Sequence, residues 1–335
     1  MTNKIGIVGL GQIGSSVGLA LKKHKGLVPI VGFDRDSKVG RTAQGLGAVD
    51  STSRLTSLAG EASIIFLCLP LGEIGDVLKD IGHRLPEGAM VLDTAPVKRP
   101  VLEAFRQSVP EGRHYLGLVP AVGTSFLAGA GRGVAGADAD LFRRSVMIVV
   151  TPPGTPAEVE SAGINIVRLL GAKPMLADLT ESDGIMATAH LLPQLAAAAL
   201  VEASVSAPGW QEARKLAGAA FAEVTGGLGY YDDPESIEVA ALASRPSVVH
   251  GLDVLIAALR GLRDDIENGD HAIVSERLEH SLQAREHWLD ERGAAAWLSE
   301  GGDADAPPEP GDQMMQMLFG GRMADRLKGA KPPRE

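Results

Sequence analysis

Gly9-Leu10-Gly11-Gln12-Ile13-Gly14 follows the apolar run Lys4-Ile5-Gly6-Ile7-Val8 and precedes a helical pattern reaching about Lys23. Few folds accept that order. Strand, glycine turn and helix together open a βαβ unit that cradles a pyrophosphate. The first glycine permits the tight turn. The second lets the backbone approach the phosphates, and the third lets the helix pack on the strand. The helix N-terminus adds free N–H groups and positive dipole. Asp34 closes a second apolar run, 28–33, where a carboxylate meets an adenosine ribose hydroxyl. Gly9, Gly11, Gln12, Ile13, Gly14, Asp34 and Arg35 are therefore expected to hold NAD. NADP stays open: Asp34 would repel a 2′-phosphate, while Arg35 and Arg41 lie near enough in sequence to bind one.

Further apolar runs at 63–69, 89–92, 145–150 and 172–177 alternate with helical patterns such as 72–83, 98–108 and 157–170. That alternation predicts an α/β fold, an N-terminal Rossmann domain with a parallel, doubly wound sheet. Ligands then lie at the carboxyl ends of the strands. Leu69, Pro70, Asp93 and Thr94 are placed there as further cofactor contacts. From about 179 to 297 no strand pattern is found. Ala/Leu-rich segments at 180–206, 210–224, 236–268 and 270–292 predict an all-α C-terminal domain. The expected division is 1–178, dinucleotide-binding; 179–298, helical substrate and dimerisation domain; 299–335, linker and tail. The Gly-, Pro- and acid-rich stretch 299–312 reads as a flexible linker. For the apolar segment Met314–Phe319 behind it, a short docking helix and a poorly ordered tail both remain open.

Composition narrows the function. Hydrophobic residues make up 45% and aromatics only 4%, so the cores are aliphatic. A net charge of −10 opposes a nucleic-acid surface, which needs a basic field. Cys68 is the only cysteine, excluding an internal disulfide, and it lies in an apolar run as a small buried residue. No uninterrupted apolar run reaches the roughly 18–20 residues of a membrane span, and no signal-peptide pattern opens the chain. These features predict a soluble cytoplasmic protein without membrane contact. No metal-ligand spacing is present. The alternating acids and bases of 260–293 read as a solvated helical face.

Over about residues 4–290 the order of motifs resembles the prephenate/arogenate dehydrogenase family. The matching segments are GLGQIGSSVGLALK at the start, GFDRD at 32–36, LCLP at 67–70, LDTAPVK at 92–98, GLVPAVGTSFLAGA at 117–130, LF at 141–142 with IVVTPP at 148–153, and SDGIMATAHLLPQLAAAAL at 182–200. The resemblance implies NAD(P)-dependent oxidation of a cyclohexadienyl ring alcohol, with aromatisation by decarboxylation, in tyrosine and aromatic amino acid biosynthesis. It also implies a homodimer through interlocking helical domains.

The departures fall on the substrate side. Val119 stands where the family's catalytic histidine precedes the proline of its His-Pro-Met-Ala-Gly loop, so that general base is missing. Pro96 replaces the serine of the Gly-Ser-x-Lys run. The turn 226–233 carries no basic residue where the family places a substrate-binding arginine.

His190 is the best remaining proton-handling residue, matching the first histidine of the family's Ser-His-Leu-Pro-His motif. Helical spacing puts Asp183, His190 and Gln194 roughly on one face. A histidine there facing the nicotinamide would exchange a proton during hydride transfer; a structural histidine in an interdomain core is the competing reading. Lys98 matches the family's lysine and reads either as a partner for a substrate carboxylate or as a solvated helix-start lysine. Thr124, Ser125, Gln194 and Tyr230 are candidate substrate contacts, and turn packing competes for Tyr230.

Three functions follow. The first is an oxidoreductase of this family acting on a small cyclic carboxylate, with substrate or chemistry diverged, for example toward imine reduction. The second is a non-catalytic, dinucleotide-binding regulatory or structural protein. The third, a β-hydroxyacid-type dehydrogenase, ranks last because no lysine stands in the expected helix.

Overall fold

The computed structural model describes residues 4–24, 28–127, 131–229, 232–295 and 297. Tyr230, the linker 299–312 and the Met314–Phe319 segment lie outside them. The chain divides into two units. One comprises the residues through Leu69, Glu73–Leu179 and the chain from Asp290; the other comprises Pro70–Gly72 and Thr180–Leu289.

The first unit is built on eight strands: β1 (Ile5–Val8), β2 (Ile30–Phe33), β3 (Ser51–Thr52), β4 (Ile64–Leu67), β5 (Met90–Asp93), β6 (His114–Pro120), β7 (Val146–Val150) and β8 (Lys173–Ala177). Their spatial order is β3-β2-β1-β4-β5-β6-β7-β8. The helices between them are α1 (Gln12–Lys22), α2 (Ser37–Gly45), α3 (Leu55–Glu61), α4 (Leu71–Ile81), α5 (Arg99–Ser108) and α6 (Ala157–Leu169). Strands β1, β4 and β5 are buried along their whole length because helices cover a parallel sheet on both faces. Ile7, Leu10, Val17, Ile30, Phe66, Leu92, Leu118 and Val149 belong to one aliphatic core. Each such side chain contributes about 1.5–3 kcal/mol by leaving water.

Two strands were not evident in the sequence. β3 is two exposed residues. In β6, His114, Gly117 and Pro120 interrupt the apolar pattern. The sheet also departs from the all-parallel expectation, since β7 runs antiparallel to β6, with Val119 opposite Ile148. The order reverses direction between β1 and β4, which puts the ligand crevice at their carboxyl ends.

The second unit is helical: α7 (Leu179–Met186), α8 (Leu192–Val205), α9 (Trp210–Ala213), α10 (Ala219–Thr225), α11 (Pro234–Ala243), α12 (Arg245–Glu267) and most of α13 (His271–Ala294). Helices α7 and α8 join through one π turn, Ala187–Leu191. Pro193 lacks the N–H that would bond back to Ala189, and the π turn absorbs that loss without ending the helix. The joined helix, Leu179–Val205, is long and apolar enough to cross a bilayer by length and composition, yet it buries Ser182, Asp183 and Gln194. The segment 236–268 is not one helix. It bends by 99° at Ser244, just ahead of Arg245-Pro246. Pro246 has no N–H to bond back to Leu242 but is tolerated in the first turn of a helix, so the chain breaks at Ser244 and restarts at Arg245.

Candidate cofactor turn and histidine cluster

In the glycine turn each of the three glycines meets different surroundings. Gly9 has φ +88°, and a Cβ there would lie 2.2 Å from the Cys68 carbonyl oxygen. A Cβ on Gly14 would lie 1.9 Å from the Gly9 oxygen. Around a Cβ on Gly11 there is nothing within 4 Å. Gly9 and Gly14 are thus required by the protein's own packing, while Gly11 faces open space. Gly11 also serves as the α1 N-cap without a side-chain cap, so the helix presents uncapped N–H groups. These residues fit a dinucleotide: a bare glycine with open space before it, at an uncapped helix start.

Asp34 closes the turn from β2. Its Oδ2 accepts from Leu10 N at 2.8 Å and its Oδ1 from Asp36 N at 2.8 Å. Each oxygen has a second lone pair for a ribose hydroxyl. Arg35 reaches away to Glu73, 2.6 Å, and Arg41 Nη1 donates to Ser37 Oγ at 3.3 Å. Gln12 Nε2 donates to the Gly136 carbonyl at 3.1 Å, so its side chain ties α1 to a neighbouring loop. Ile13 packs against the core. The Leu69 side chain lies beside Gly9, while Pro70 is exposed and groups with the helical unit.

The ends of β5 and β6 correct two expectations. Lys98 and Asp93 form an ion pair at 2.8 Å with both side chains fully buried. Lys98 Nζ also donates to the Leu118 carbonyl at 2.7 Å and the Asp93 carbonyl at 3.2 Å. Tyr115 OH donates to Asp93 Oδ2 at 2.7 Å, and Ala95 N donates to Oδ1 at 2.9 Å. Three protein acceptors engage the ammonium. Lys98 is neither a solvated helix-start residue nor placed to meet a substrate carboxylate, and Asp93 is enclosed rather than turned to a cofactor. Together they lock β5 to β6. Thr94 Oγ1 lies 3.4 Å from the Leu67 carbonyl. Desolvation pushes the neighbouring Cys68 thiol up to about 12, which makes it inert. Val119 is 5% exposed and cannot move a proton. Thr124 Oγ1 donates to the Arg292 carbonyl at 2.5 Å, and Ser125 is exposed.

In the helical unit, His190 stands on the π turn, and its Nε2 pairs with Asp232 Oδ2 at 2.5 Å. Gln194 Nε2 donates to the same oxygen at 2.9 Å and to the His190 carbonyl at 3.2 Å. Burial raises the Asp232 carboxyl, but the His190 ring and the Gln194 amide outweigh it and hold the pKa below the ordinary value. Gln194 Oε1 is buried without a hydrogen-bond partner. The sequence pointed to Asp183, which is buried, and missed Asp232. Asp233 caps α11 by accepting from Ser236 N, so the Asp-Pro-Glu-Ser pattern was the available signal that Asp232 ends the preceding loop. Among the described residues no group of three or more His, Cys, Asp or Glu is arranged to hold a metal.

Sheet order, glycine turn and acidic strand end define a Rossmann-type nucleotide-binding protein. Residues 17–176 match the family described as prephenate dehydrogenase, nucleotide-binding domain. The chain is 30% identical over 200 residues to the prephenate dehydrogenase of Lactococcus lactis, covering 59% of this chain and 53% of that protein. It thus spans about half the length of that relative. It is 26% identical over 288 residues to the cyclohexadienyl dehydrogenase of Zymomonas mobilis, covering 84% and 94% respectively. The solved arogenate dehydrogenase of Synechocystis is 26% identical and superposes with a TM-score of 0.64 over 85% of this chain and 99% of that one. The likeness is thus to prephenate and arogenate dehydrogenases, and the family match itself lies within the nucleotide-binding part, residues 17–176.

Proposed function

We propose that this chain is an NAD-dependent dehydrogenase that takes hydride from a small cyclic carboxylate of the prephenate or arogenate type. The observation that carries the reading is the open face at Gly11 beside Asp34. Bound NAD supplies the hydride acceptor. The chain's own residues do the rest. The backbone at Gly11 and the start of α1 hold the phosphates, and Asp34 takes the ribose while keeping the turn closed. A carboxylate at Asp34 with lone pairs to spare, and Arg35 drawn off to Glu73, favours NAD over NADP. His190 handles a proton, with Asp232 fixing the ring through Nε2. Thr94 and Ser125 remain candidate contacts. Val119 departs from the proton-abstracting residue of the family motif, which favours as a second reading the reverse direction, in which an imine receives hydride from the reduced cofactor and the chain supplies a proton instead of removing one.

In this reading residues 1–178 bind the dinucleotide and 179–298 bind substrate and dimerise. Homodimerisation is supported by α12, which buries only Val248, and α13, which buries none of its described residues. Val254, Leu259, Ile266, Leu278 and Leu282 are each more than half exposed, an apolar load that a second copy would cover. A cytoplasmic location accords with the family's soluble relatives.

The test is direct. NAD+ and NADP+ binding is measured calorimetrically, followed by reduced-nicotinamide formation with prephenate and with arogenate. Tighter NAD+ binding and turnover of either acid support the reading. Cofactor binding without turnover of either sinks the dehydrogenase assignment for these substrates. Sedimentation equilibrium reads the dimer.

A further inference from the structure

The last turn of α13 meets the end of β6 at a junction that the reaction above does not use. Arg292 Nη2 donates to the Val122 carbonyl at 2.7 Å, and Thr124 Oγ1 donates back to the Arg292 carbonyl. The Arg292 guanidinium stacks over the Trp297 ring, 5.2 Å from its centroid. Arg144 Nη2 reaches the Ala294 carbonyl at 3.3 Å, and Lys173 Nζ reaches the Trp297 carbonyl at 2.7 Å. Three cations therefore converge on one turn of chain.

Two further observations set this junction apart. Arg292 Nε and Trp297 Nε1 are both buried and both without a hydrogen-bond partner. Each is a donor only, so what each lacks is an acceptor. An unmade bond of this kind costs about 1–3 kcal/mol, more for a charged group. In addition, Arg144 (φ +58°) and Ala295 (φ +49°) are the non-glycine residues with positive φ among those described, and both belong to this junction. Strain of this kind persists where surrounding structure enforces it and gathers at binding sites.

We propose that the Arg292–Trp297 junction is a carboxylate-binding site. A carboxylate supplies two acceptor oxygens for the two stranded donors and offsets the charge that burial penalises at Arg292. The carboxylate is that of a small molecule. The inference does not depend on the dehydrogenase reading.

The chain has three tryptophans, so Trp210→Phe with Trp288→Phe leaves Trp297 as the sole indole reporter. The full-length double variant is titrated with 3-(4-hydroxyphenyl)propionate and, in parallel, with the corresponding uncharged amide. A saturable change in Trp297 emission is expected with the acid and not with the amide. Arg292→Lys keeps the charge, loses Nε, and is expected to weaken the response at least tenfold. As a check that needs no tryptophan replacement, the acid should raise the thermal midpoint of the unsubstituted chain and not that of Arg292→Lys. An emission and a midpoint both indifferent to the acid overturn the proposal. NAD+ binding by Arg292→Lys, measured separately, reports on the cofactor turn alone.

Discussion

Gly117 makes room for Lys98: a Cβ at position 117 would lie 2.7 Å from Lys98 Cδ and 3.1 Å from Cε. The lysine stem crosses β6 through that gap to reach Asp93 and the Leu118 carbonyl. A glycine inside a strand usually weakens it, and here it is where another side chain passes.

Lys98→Met should destabilise the fold by about 3–5 kcal/mol, because Asp93 would be left buried without its partner. Gly117→Ala should cost about 1–3 kcal/mol by overpacking the same passage. Urea unfolding measures both. A Lys98→Met chain of unchanged stability but raised KM would restore Lys98 to the substrate and remove it from the framework.

The three glycines of the turn should separate by phenotype. Gly14→Ala clashes with backbone and is expected to abolish folding or cost several kcal/mol, as overpacking does at its worst. Gly11→Ala should fold with a near-native thermal midpoint and lose NAD+ affinity at least tenfold. A Gly11→Ala protein that binds NAD+ normally would mean that the open face is not the pyrophosphate site.

Asp34→Ala is expected to lose twice: in NAD+ affinity, and in stability by about 1–3 kcal/mol as the Leu10 N–H loses its acceptor. Calorimetry with and without NAD+ distinguishes the two effects. Asp34→Asn keeps an acceptor oxygen and should recover most of the stability.

Asp232 and His114 act on stability in different pH windows but with the same direction of slope. The Asp232 carboxyl is lowered from 3.8, so its contribution is full above that value and is lost as pH falls through the folded-state pKa. His114 is held below 6.5 by burial, so the unfolded chain takes up its proton first and stability declines as pH falls below about 6.5. Asp232→Asn should flatten the acid limb of a stability–pH curve, and His114→Asn the limb nearer neutrality. Curves that superpose on the unsubstituted chain's would show that neither environment acts as described.

Val119→His tests the missing base. Turnover of prephenate or arogenate should rise at least tenfold, with NAD+ affinity unchanged. No gain would mean that proton removal at this position does not limit the chain.

Much of the sheet was legible because buried parallel strands are short apolar runs, and the glycine turn has a sequence order that little else shares. β6 was not, since His114, Gly117 and Pro120 hide an apolar strand whose hydrogen bonds are made by backbone. Lys98 was misplaced for a physical reason: a lysine at a helix start is ordinarily solvated, and only nearby Asp93 together with the distant Gly117 and Tyr115 makes a buried one tolerable. Asp232 and Arg292 were missed alike. Asp232 gains its meaning from a partner 42 residues away. Arg292 lies in a stretch of alternating charges, and its contact with Val122 spans 170 residues. The histidine and Gln194 could be found by motif and helical spacing; Asp232, which pairs with both, could not.

The reversal at β7 has a consequence for how such a chain diversifies. β6 is bonded through main-chain groups to the parallel β5 over His114–Gly117 and to the antiparallel β7 over Gly117–Pro120. Neither ladder depends on which side chain stands at 119. A lineage can therefore exchange the chemistry offered at that strand end, histidine for valine or the reverse, while inheriting the scaffold unaltered, so that reaction and architecture are free to evolve at different rates.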